Sequence, residues 1–236
     1  FKANGLDVQI KEYESGPPSI AALLAGEVDV APAADFVGVR NIFTNDHLRI
    51  LAQLSKQNFF KVVARKDSGV NSVIDLKGKR IGVTLKSAGE FFLGRFLILN
   101  DLTLSDINIM DLSPLEMASQ ITNGEIDVAI TFDPYIYNIE KALGSNAIAW
   151  PIQDDQNVYI LLYSTDEFIN NHSQIIERYL QSLVQAEKYA KENDAEIKNF
   201  IAKTLNYDDT YINYIWPKSN HYIALEQELL ILMENE

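Results

Sequence analysis

The residues with the clearest capacity for chemistry in this sequence stand at or beside predicted helix starts. A helix start presents unpaired backbone N–H groups and a partial positive charge, which together suit an anion. Ser87 followed by Glu90 has the spacing of a capping box, and Asp133-Pro134 has the order of an N-cap and a first helical proline. The candidate ligand-binding residues at these starts are Ser15, Gly16, Ser19, Asp35, Phe36, Ser87, Glu90, Phe132, Asp133 and Tyr135.

Three of the helix starts carry an acidic side chain, which changes the chemistry that they offer. The carboxylates of Asp35, Glu90 and Asp133 consume N–H groups and reduce the positive field at the helix end. Asp133 and Glu90 also have a purely structural interpretation, as an N-cap and as a capping-box partner. If one of these acids contacts a ligand, it favours a neutral or cationic group that donates hydrogen bonds over a bare anion.

The segment from Ile121 to Tyr135 has the pattern of a helix end, a buried strand and a new helix start. Gly124 can adopt the left-handed conformation that ends a helix, and Ile126 to Ile130 is an apolar run typical of a strand covered on both faces. The pattern Gly-Glu-[Val/Ile]-Asp-Val-Ala occurs at residues 124–129 and also at 26–31. The alternative is chance recurrence of a common pattern, but six matching positions favour two similar lobes with a cleft between them.

Two aromatic residues, Phe36 and Phe132, occupy corresponding positions after the two copies of this pattern. A flat ligand between such rings gains about 0.5–1.5 kcal/mol per contact beyond the buried area. The alternative is that both rings belong to the core. Phe91 and Tyr135 are further aromatic candidates.

Composition excludes several classes of function. The chain has 236 residues, of which 47% are hydrophobic and 22% charged, as in ordinary soluble globular proteins. A formal net charge of −13 argues against nucleic acids and anionic membranes as partners. The absence of cysteine excludes disulfides, thiolate zinc sites and a cysteine nucleophile, and the histidines lack metal-ligand spacing. We expect neither a metal nor a cofactor.

Hydrophobic periodicity predicts strands alternating with helices in the first two thirds of the chain and helices alone afterwards. Strands are predicted at residues 6–13, 28–31, 48–54, 60–65, 80–84, 107–112, 126–130, 148–152 and 158–163. Helices are predicted at residues 21–25, 35–44, 87–99, 113–123, from 133, at 173–192, 194–205, from 208, and at 225–236. This alternation predicts an α/β fold with a mostly parallel sheet in each lobe.

Four segments resemble a known family: Phe1–Val8, Ala21–Ala31, Asp75–Val83 and Asn123–Tyr135. They are similar to the substrate-binding proteins of ABC importers for nitrate, alkyl sulfonates, taurine and thiamine-pyrimidine precursors. The resemblance spans most of the chain. Asp-Leu-Lys-Gly-Lys-Arg-Ile-Gly-Val at residues 75–83 is its most specific motif.

The resemblance implies a two-lobed type 2 periplasmic-binding-protein fold, with helix starts directed at a cleft between the lobes and closure by a hinge. It implies that residues 1–65 and 158–236 form the first lobe and residues 66–157 the second. The family's first strand and helix would precede Phe1. The lobes would place Phe132-Asp133 and Asp35-Phe36 on opposing sides of the cleft.

The expected function is capture of a small polar or heteroaromatic metabolite, similar to a thiamine-pyrimidine precursor, for an ABC permease. The alternatives are a binder of alkyl sulfonate, taurine or nitrate-type anions, and a ligand-sensing domain fused to a membrane-bound signalling module. An enzyme is the third class, disfavoured because no catalytic triad or metal cluster is present in the sequence. We expect a monomer outside the cytoplasm, periplasmic or extracellular and membrane-anchored.

Overall fold

The computed structural model describes residues 1–45, 47–218 and 221–224. The helices are α1 Gly16–Leu24, α2 Asp35–Ile42, α3 Ala88–Leu99, α4 Pro114–Asn123, α5 Tyr135–Leu143, α6 Asp166–Asn171, α7 Ser173–Glu192, α8 Asp194–Thr204 and α9 Asp209–Ile215. The strands are β1 Ala31–Ala34, β2 Leu48–Gln57, β3 Lys61–Arg65, β4 Arg80–Val83, β5 Asn108–Asp111, β6 Val128–Thr131, β7 Ala147–Pro151, β8 Val158–Thr165 and β9 His221–Ala224. The α/β class is confirmed. Within those described ranges, no helix is both long enough and apolar enough to cross a membrane.

The chain divides into two compact units. The first contains Phe1–Glu12, Ser19–Gln57 and the described residues from Tyr159 onward. The second contains Tyr13–Pro18 and Asn58–Val158. The main passages between the units therefore follow Gln57 and Val158.

The first unit is built on a four-stranded sheet with the order β1-β8-β2-β9. β1 is antiparallel to β8, with Ala33 opposite Leu161, and β2 is antiparallel to β9. Helix α2 packs closely against β8, because a Cβ atom at Gly38 would overlap the ring of the fully buried Tyr163. A mostly parallel sheet was predicted for this lobe, and that detail is wrong. The alternation of strands and helices does not reveal that β8 returns between β1 and β2 and is antiparallel to β1.

The second unit contains a mixed five-stranded sheet with the order β5-β4-β6-β3-β7. β4 is parallel to β5 and β6, whereas β3 is antiparallel to both β6 and β7. Only part of this sheet is therefore parallel. The pairing also assigns β3 to the second sheet, although the sequence analysis places residues up to 65 in the first lobe. Strand propensity identifies β3 correctly but does not encode which sheet it joins.

Local signals account for the elements that carry the second sheet. Ser113 and Glu116 form a capping box at the start of α4, with Pro114 as the first helical residue, as predicted. Gly124 ends that helix with φ 77°, and all four residues of β6 are buried. The core between α4, α5 and the sheet contains Val63, Leu112, Met117, Ile121, Ile126, Ala129, Ile136 and Ile139.

Two predicted strands differ from the structure. Residues 6–13 form no strand, because Leu6 is buried whereas Ile10 is 83% exposed, so the alternating pattern has no covered face. The strand predicted at residues 28–31 is found at Ala31–Ala34. The helix predicted at residues 225–236 lies outside the described residues.

Candidate functional site

Two helix starts of the second unit lie at one edge of its sheet. Strand β4 ends at Val83 and leads to α3, and the neighbouring parallel strand β6 ends at Thr131 and leads to α5. The carboxyl ends of parallel strands share one edge, and ligands of open α/β sheets bind at such edges. We call this edge, with the residues that follow the two strands, the β4–β6 edge.

The start of α3 is held by two side chains. Ser87 is the N-cap; its Oγ accepts a hydrogen bond from Gly89 N at 3.1 Å and donates one to Thr84 O at 2.6 Å. The Glu90 carboxylate accepts from Lys86 N at 2.6 Å. Because Ser87 and Glu90 bond to these groups, the predicted capping box is not formed here. Glu90 instead stabilises Lys86, whose backbone has φ 62°.

The start of α5 is shifted by one residue from the prediction. Pro134 is the N-cap and Tyr135 the first helical residue, so Asp133 is not the N-cap and Pro134 is not the first helical residue. Asp133 Oδ1 nevertheless accepts from Tyr137 N at 3.2 Å and so satisfies one backbone donor of the first turn. The acids at both starts of the β4–β6 edge are therefore engaged with backbone N–H groups.

Aromatic side chains cover the β4–β6 edge. Phe60 packs against Phe92 of α3 with ring centroids 5.9 Å apart and against Phe132 at 5.5 Å, and Phe132 also contacts Phe59 at 5.8 Å and Tyr135 at 5.7 Å. The aromatic cluster comprises Phe59, Phe60, Phe91, Phe92, Phe132 and Tyr135. Its inner rings, Phe60 and Phe92, are buried, whereas the other four are only partly buried. The cluster therefore has a packed base and an accessible aromatic surface.

A buried amide positions two members of this cluster. Gln153 Oε1 accepts hydrogen bonds from Phe59 N and Phe60 N, each at 2.8 Å, and its Nε2 donates to Gln156 O at 3.1 Å. Gln153 is fully buried. Gln153, Phe59 and Phe60 are not among the residues predicted from sequence, although two adjacent phenylalanines directly before an apolar strand are a usable signal.

Thr131 is a buried polar residue at the β4–β6 edge whose hydroxyl lacks a partner among the described residues. Thr131, the last residue of β6, is fully buried, and its Oγ1 has no hydrogen bond within the described part of the chain. Ala129 faces α4 and α5, and residues two apart on a strand share a face, so Thr131 points toward the same layer. The sequence analysis also missed this residue, whose signal is a threonine that ends a fully apolar strand.

The remaining predicted residues are divided between the units. Ser15 and Gly16 belong to the second unit, where Gly16 begins α1. Ser19, Asp35 and Phe36 belong to the first unit. The Ser19 hydroxyl is buried and donates to Pro32 O at 2.7 Å. Within the second unit, the structure brings Ser87, Glu90, Phe132, Asp133 and Tyr135 to the β4–β6 edge.

Asp35 has a structural role at the start of α2. Its side chain is 1% exposed; Oδ1 accepts from Phe36 N at 2.9 Å and Oδ2 accepts from Tyr159 N at 3.1 Å. Burial raises the pKa of Asp35 from 3.8 to about 6, against the opposing effect of the backbone hydrogen bonds. A carboxylate thereby joins α2 to the beginning of β8, where the chain returns from the second unit.

A cavity of about 560 Å³ lies elsewhere in the first unit, between the end of α1 and the segment from Thr165 to His172. His47 and Asp166 meet at its wall, with Nδ1 and Oδ1 3.2 Å apart. The ten predicted ligand-binding residues are not among those that line it. No group of three or more His, Cys, Asp or Glu side chains in the described ranges is placed to hold a metal ion.

Comparison with known proteins adds independent information. A Brucella abortus protein named as a binding protein is 24% identical over 217 residues, which cover 88% of this chain and 65% of the relative. A Bacillus subtilis protein named as an aliphatic sulfonates-binding protein is 28% identical over 146 residues, covering 58% of this chain and 41% of the relative. The chain therefore spans less than two thirds of the length of either relative.

The fold has solved counterparts. The alkanesulfonate-binding protein SsuA from Xanthomonas axonopodis pv. citri, bound to MOPS, superposes with a TM-score of 0.83 and 18% identity, over 95% of this chain and 78% of that protein. This similarity confirms the fold of the periplasmic binding proteins. The sequence model of the NMT1/THI5-like family matches residues 1–197. The chain belongs to the NMT1/THI5-like family.

Proposed function

We propose that this chain is the ligand-capturing part of an extracytoplasmic solute-binding protein that supplies an ABC importer. We further propose that its ligand is a small organic anion with an apolar body, of the sulfonate class. The names of the Bacillus subtilis relative and of the Xanthomonas axonopodis structure support this ligand class. The sequence alone favours a heteroaromatic ligand, whereas these names favour a sulfonate as the first candidate.

The observation that carries the proposal is the combination of groups at the β4–β6 edge. Two helix starts present backbone N–H groups there, which suit the oxygens of an anionic head group. The aromatic cluster beside them presents partly buried rings, which suit an apolar body. We assign ligand contacts in the second unit to Ser87, Phe132 and Tyr135.

The acids at the same edge argue against small inorganic anions. Glu90 and Asp133 add negative charge within the first turns of the two helices and use backbone donors themselves. Nitrate or sulfate has no apolar surface with which to offset that repulsion. An organic sulfonate gains burial of its hydrocarbon part, at about 25 cal/mol per Å².

A heteroaromatic solute is the second candidate. The rings of Phe132 and Tyr135 meet edge to face, with an interplanar angle of 89°, and Phe132 and Phe59 meet at 69°. Such an arrangement can receive a flat ring as readily as an alkyl chain. The exocyclic amino groups of a pyrimidine would also donate hydrogen bonds to the nearby carboxylates of Glu90 and Asp133.

Titration calorimetry with four ligands tests the proposal: hexanesulfonate, sulfate, nitrate and a 4-amino-pyrimidine with a hydroxymethyl group. We expect hexanesulfonate to bind and the inorganic anions to give no measurable heat. Phe132→Ala should weaken hexanesulfonate about 10-fold, which corresponds to one aromatic contact. Phe200→Ala is the control, because Phe200 is 62% exposed on α8 in the first unit.

The outcomes separate the two candidates. Binding of the pyrimidine without binding of hexanesulfonate would replace the first candidate by the second. Equal losses in Phe132→Ala and Phe200→Ala would remove the assignment of the site to the β4–β6 edge.

A further inference from the structure

The cavity of about 560 Å³ in the first unit is not used by the proposed function. Its walls are the residues around the end of α1, the residues just before β2 and the segment 165–172. All of its lining residues belong to the first unit, so the cavity does not involve the second. Its volume lies within the range of about 300–1,000 Å³ that is typical of small-molecule sites.

Hydrogen bonds join the walls of this cavity. The buried Ser164 donates from Oγ to Asp29 O at 2.8 Å, which ties the segment after α1 to the end of β8. Asp166 N donates to His47 O at 2.9 Å, which ties the start of α6 to the residue before β2. Walls that are already held in place lose little conformational freedom when a ligand binds between them.

The cavity is lined by three carboxylates, those of Asp29, Asp166 and Glu167, and its described lining contains neither lysine nor arginine. Asp166 is compensated, because it accepts from Arg49 at 3.1 Å and from His47 Nδ1 at 3.2 Å. The hydrogen bond from His47, with a smaller contribution from the charge of Arg49, lowers the pKa of Asp166. Among the described residues, the side chains of Asp29 and Glu167 have no such partner. Two carboxylates at the cavity therefore stay uncompensated.

The other lining groups also suit a cation with an apolar part. Phe168 is partly buried, and its ring lies 4.6 Å from that of His172. The face of an aromatic ring attracts a cation within about 6 Å of its centroid. Leu24, the last residue of α1, lines the cavity, and the carboxyl end of a helix carries partial negative charge. The buried Leu23 adds apolar surface.

We propose that this cavity is a second binding site of the protein, and that its ligand is a small organic cation with an ammonium group on a short apolar chain. The ammonium group pairs with Asp29 and Glu167, and the chain packs against Leu23 and Phe168. A metal ion is not the expected ligand, because in the described ranges no three His, Cys, Asp or Glu side chains are placed to hold one. The cavity shares no residue with the β4–β6 edge, which lies in the second unit, and favours the opposite charge.

The test uses probes that share one six-carbon chain and differ in the head group. Titration calorimetry at low ionic strength, where exposed charges are least screened, compares hexylammonium with hexan-1-ol. We expect hexylammonium to bind the wild type and hexan-1-ol to bind at least about 10-fold more weakly. The hexan-1-ol comparison needs only the wild type, so it decides the ligand class independently of any variant.

Variants locate the binding of hexylammonium. Asp29→Asn combined with Glu167→Gln removes both uncompensated charges and keeps the side-chain shapes, so the affinity should fall about 10-fold. Phe168→Leu should weaken binding about 3-fold through loss of the aromatic face. The urea midpoint of the double variant should stay unchanged, because neither carboxylate has a partner among the described residues.

Asp7→Asn combined with Glu12→Gln is the matched control. It makes the same two changes at exposed positions of the first unit that do not line the cavity, and it removes the same net charge. We expect its affinity for hexylammonium to stay within about two-fold of the wild type.

Three results would overturn the second site. They are no saturable binding of hexylammonium up to about 10 mM, equal binding of hexan-1-ol, and equal losses in the two double variants. None of these bears on the proposed function, which is tested with hexanesulfonate. Conversely, failure of hexanesulfonate to bind leaves the second site intact.

Discussion

Gln53 and Gln153 are both fully buried, one in each unit, yet their amides have opposite hydrogen-bonding states. Gln153 accepts from two backbone N–H groups and donates to a carbonyl, and so holds the segment that carries Phe59 and Phe60. Gln53 makes no hydrogen bond with the described residues. The same type of side chain thus has its hydrogen bonds satisfied in the second unit, whereas in the first unit the described residues provide none.

This difference separates buried polar groups that stabilise the fold from those that reduce its stability. A satisfied buried amide contributes about 1 kcal/mol per hydrogen bond, whereas an unsatisfied donor or acceptor costs about 1–3 kcal/mol. Burial alone therefore does not distinguish the two glutamines. The hydrogen-bond partners do, and the comparison can be tested by replacing each polar group with an apolar one of similar size.

The largest effect is expected for Gln153→Met. The substitution leaves Phe59 N and Phe60 N without their acceptor in a buried place, so the free energy of unfolding should fall by on the order of 4 kcal/mol. Urea unfolding monitored by circular dichroism measures this change. A loss below about 1 kcal/mol would show that the two donors find other partners and would remove the contrast with Gln53.

Asp35 offers a second comparison, because its carboxylate accepts from two backbone N–H groups as the Gln153 amide does, but with a charge. Its pKa is raised from 3.8 to about 6, so the folded state holds the proton more tightly than the unfolded state. The stability that Asp35 contributes is therefore greatest below pH 4 and declines as the pH rises through about 6, by about 3 kcal/mol in total.

Comparison of the wild type with Asp35→Asn isolates that contribution. We expect the wild type to lose stability relative to the variant between pH 4 and pH 7, when both are unfolded in urea across a pH series. Carboxylates whose pKa is lowered, such as Asp127 and Asp166, act in the opposite direction but equally in both proteins. Parallel pH profiles would contradict the raised pKa of Asp35.

The smallest effect is expected for Thr131→Val in the second unit. The Thr131 hydroxyl is buried and, among the described residues, has no hydrogen-bond partner; the same holds for the Gln53 amide. Valine has the same shape as threonine. We expect the free energy of unfolding to rise by about 1 kcal/mol. Chemical unfolding of the purified variant measures it, and a decrease of similar size would show that the hydroxyl has a structural partner.

Sequence reasoning succeeded where a signal was local. The capping box at Ser113 and Glu116 and the helix end at Gly124 follow from a few adjacent residues, and both are present. The start of α5 lies one residue later than predicted, because Pro134 and not Asp133 is the N-cap. Local patterns thus define elements closely but do not determine every cap.

Sequence reasoning failed where distant segments decide the outcome. The assignment of β3 to the second sheet depends on its pairing with β6 and β7, and no property of residues 61–65 encodes those partners. The lack of hydrogen-bond partners for Gln53 among the described residues likewise depends on the residues that surround it in three dimensions. The predicted roles in ligand binding stay predictions for all ten residues, namely Ser15, Gly16, Ser19, Asp35, Phe36, Ser87, Glu90, Phe132, Asp133 and Tyr135.

The close contact between α2 and β8 has a consequence for comparing sequences. Gly38 leaves no room for a side chain because the ring of Tyr163 occupies that space, so the two positions are mutually constrained. Among relatives that share this helix–strand contact, we expect a larger residue at the position of Gly38 only where a smaller one replaces Tyr163. This pair of positions would therefore distinguish subgroups within the family without reference to any ligand.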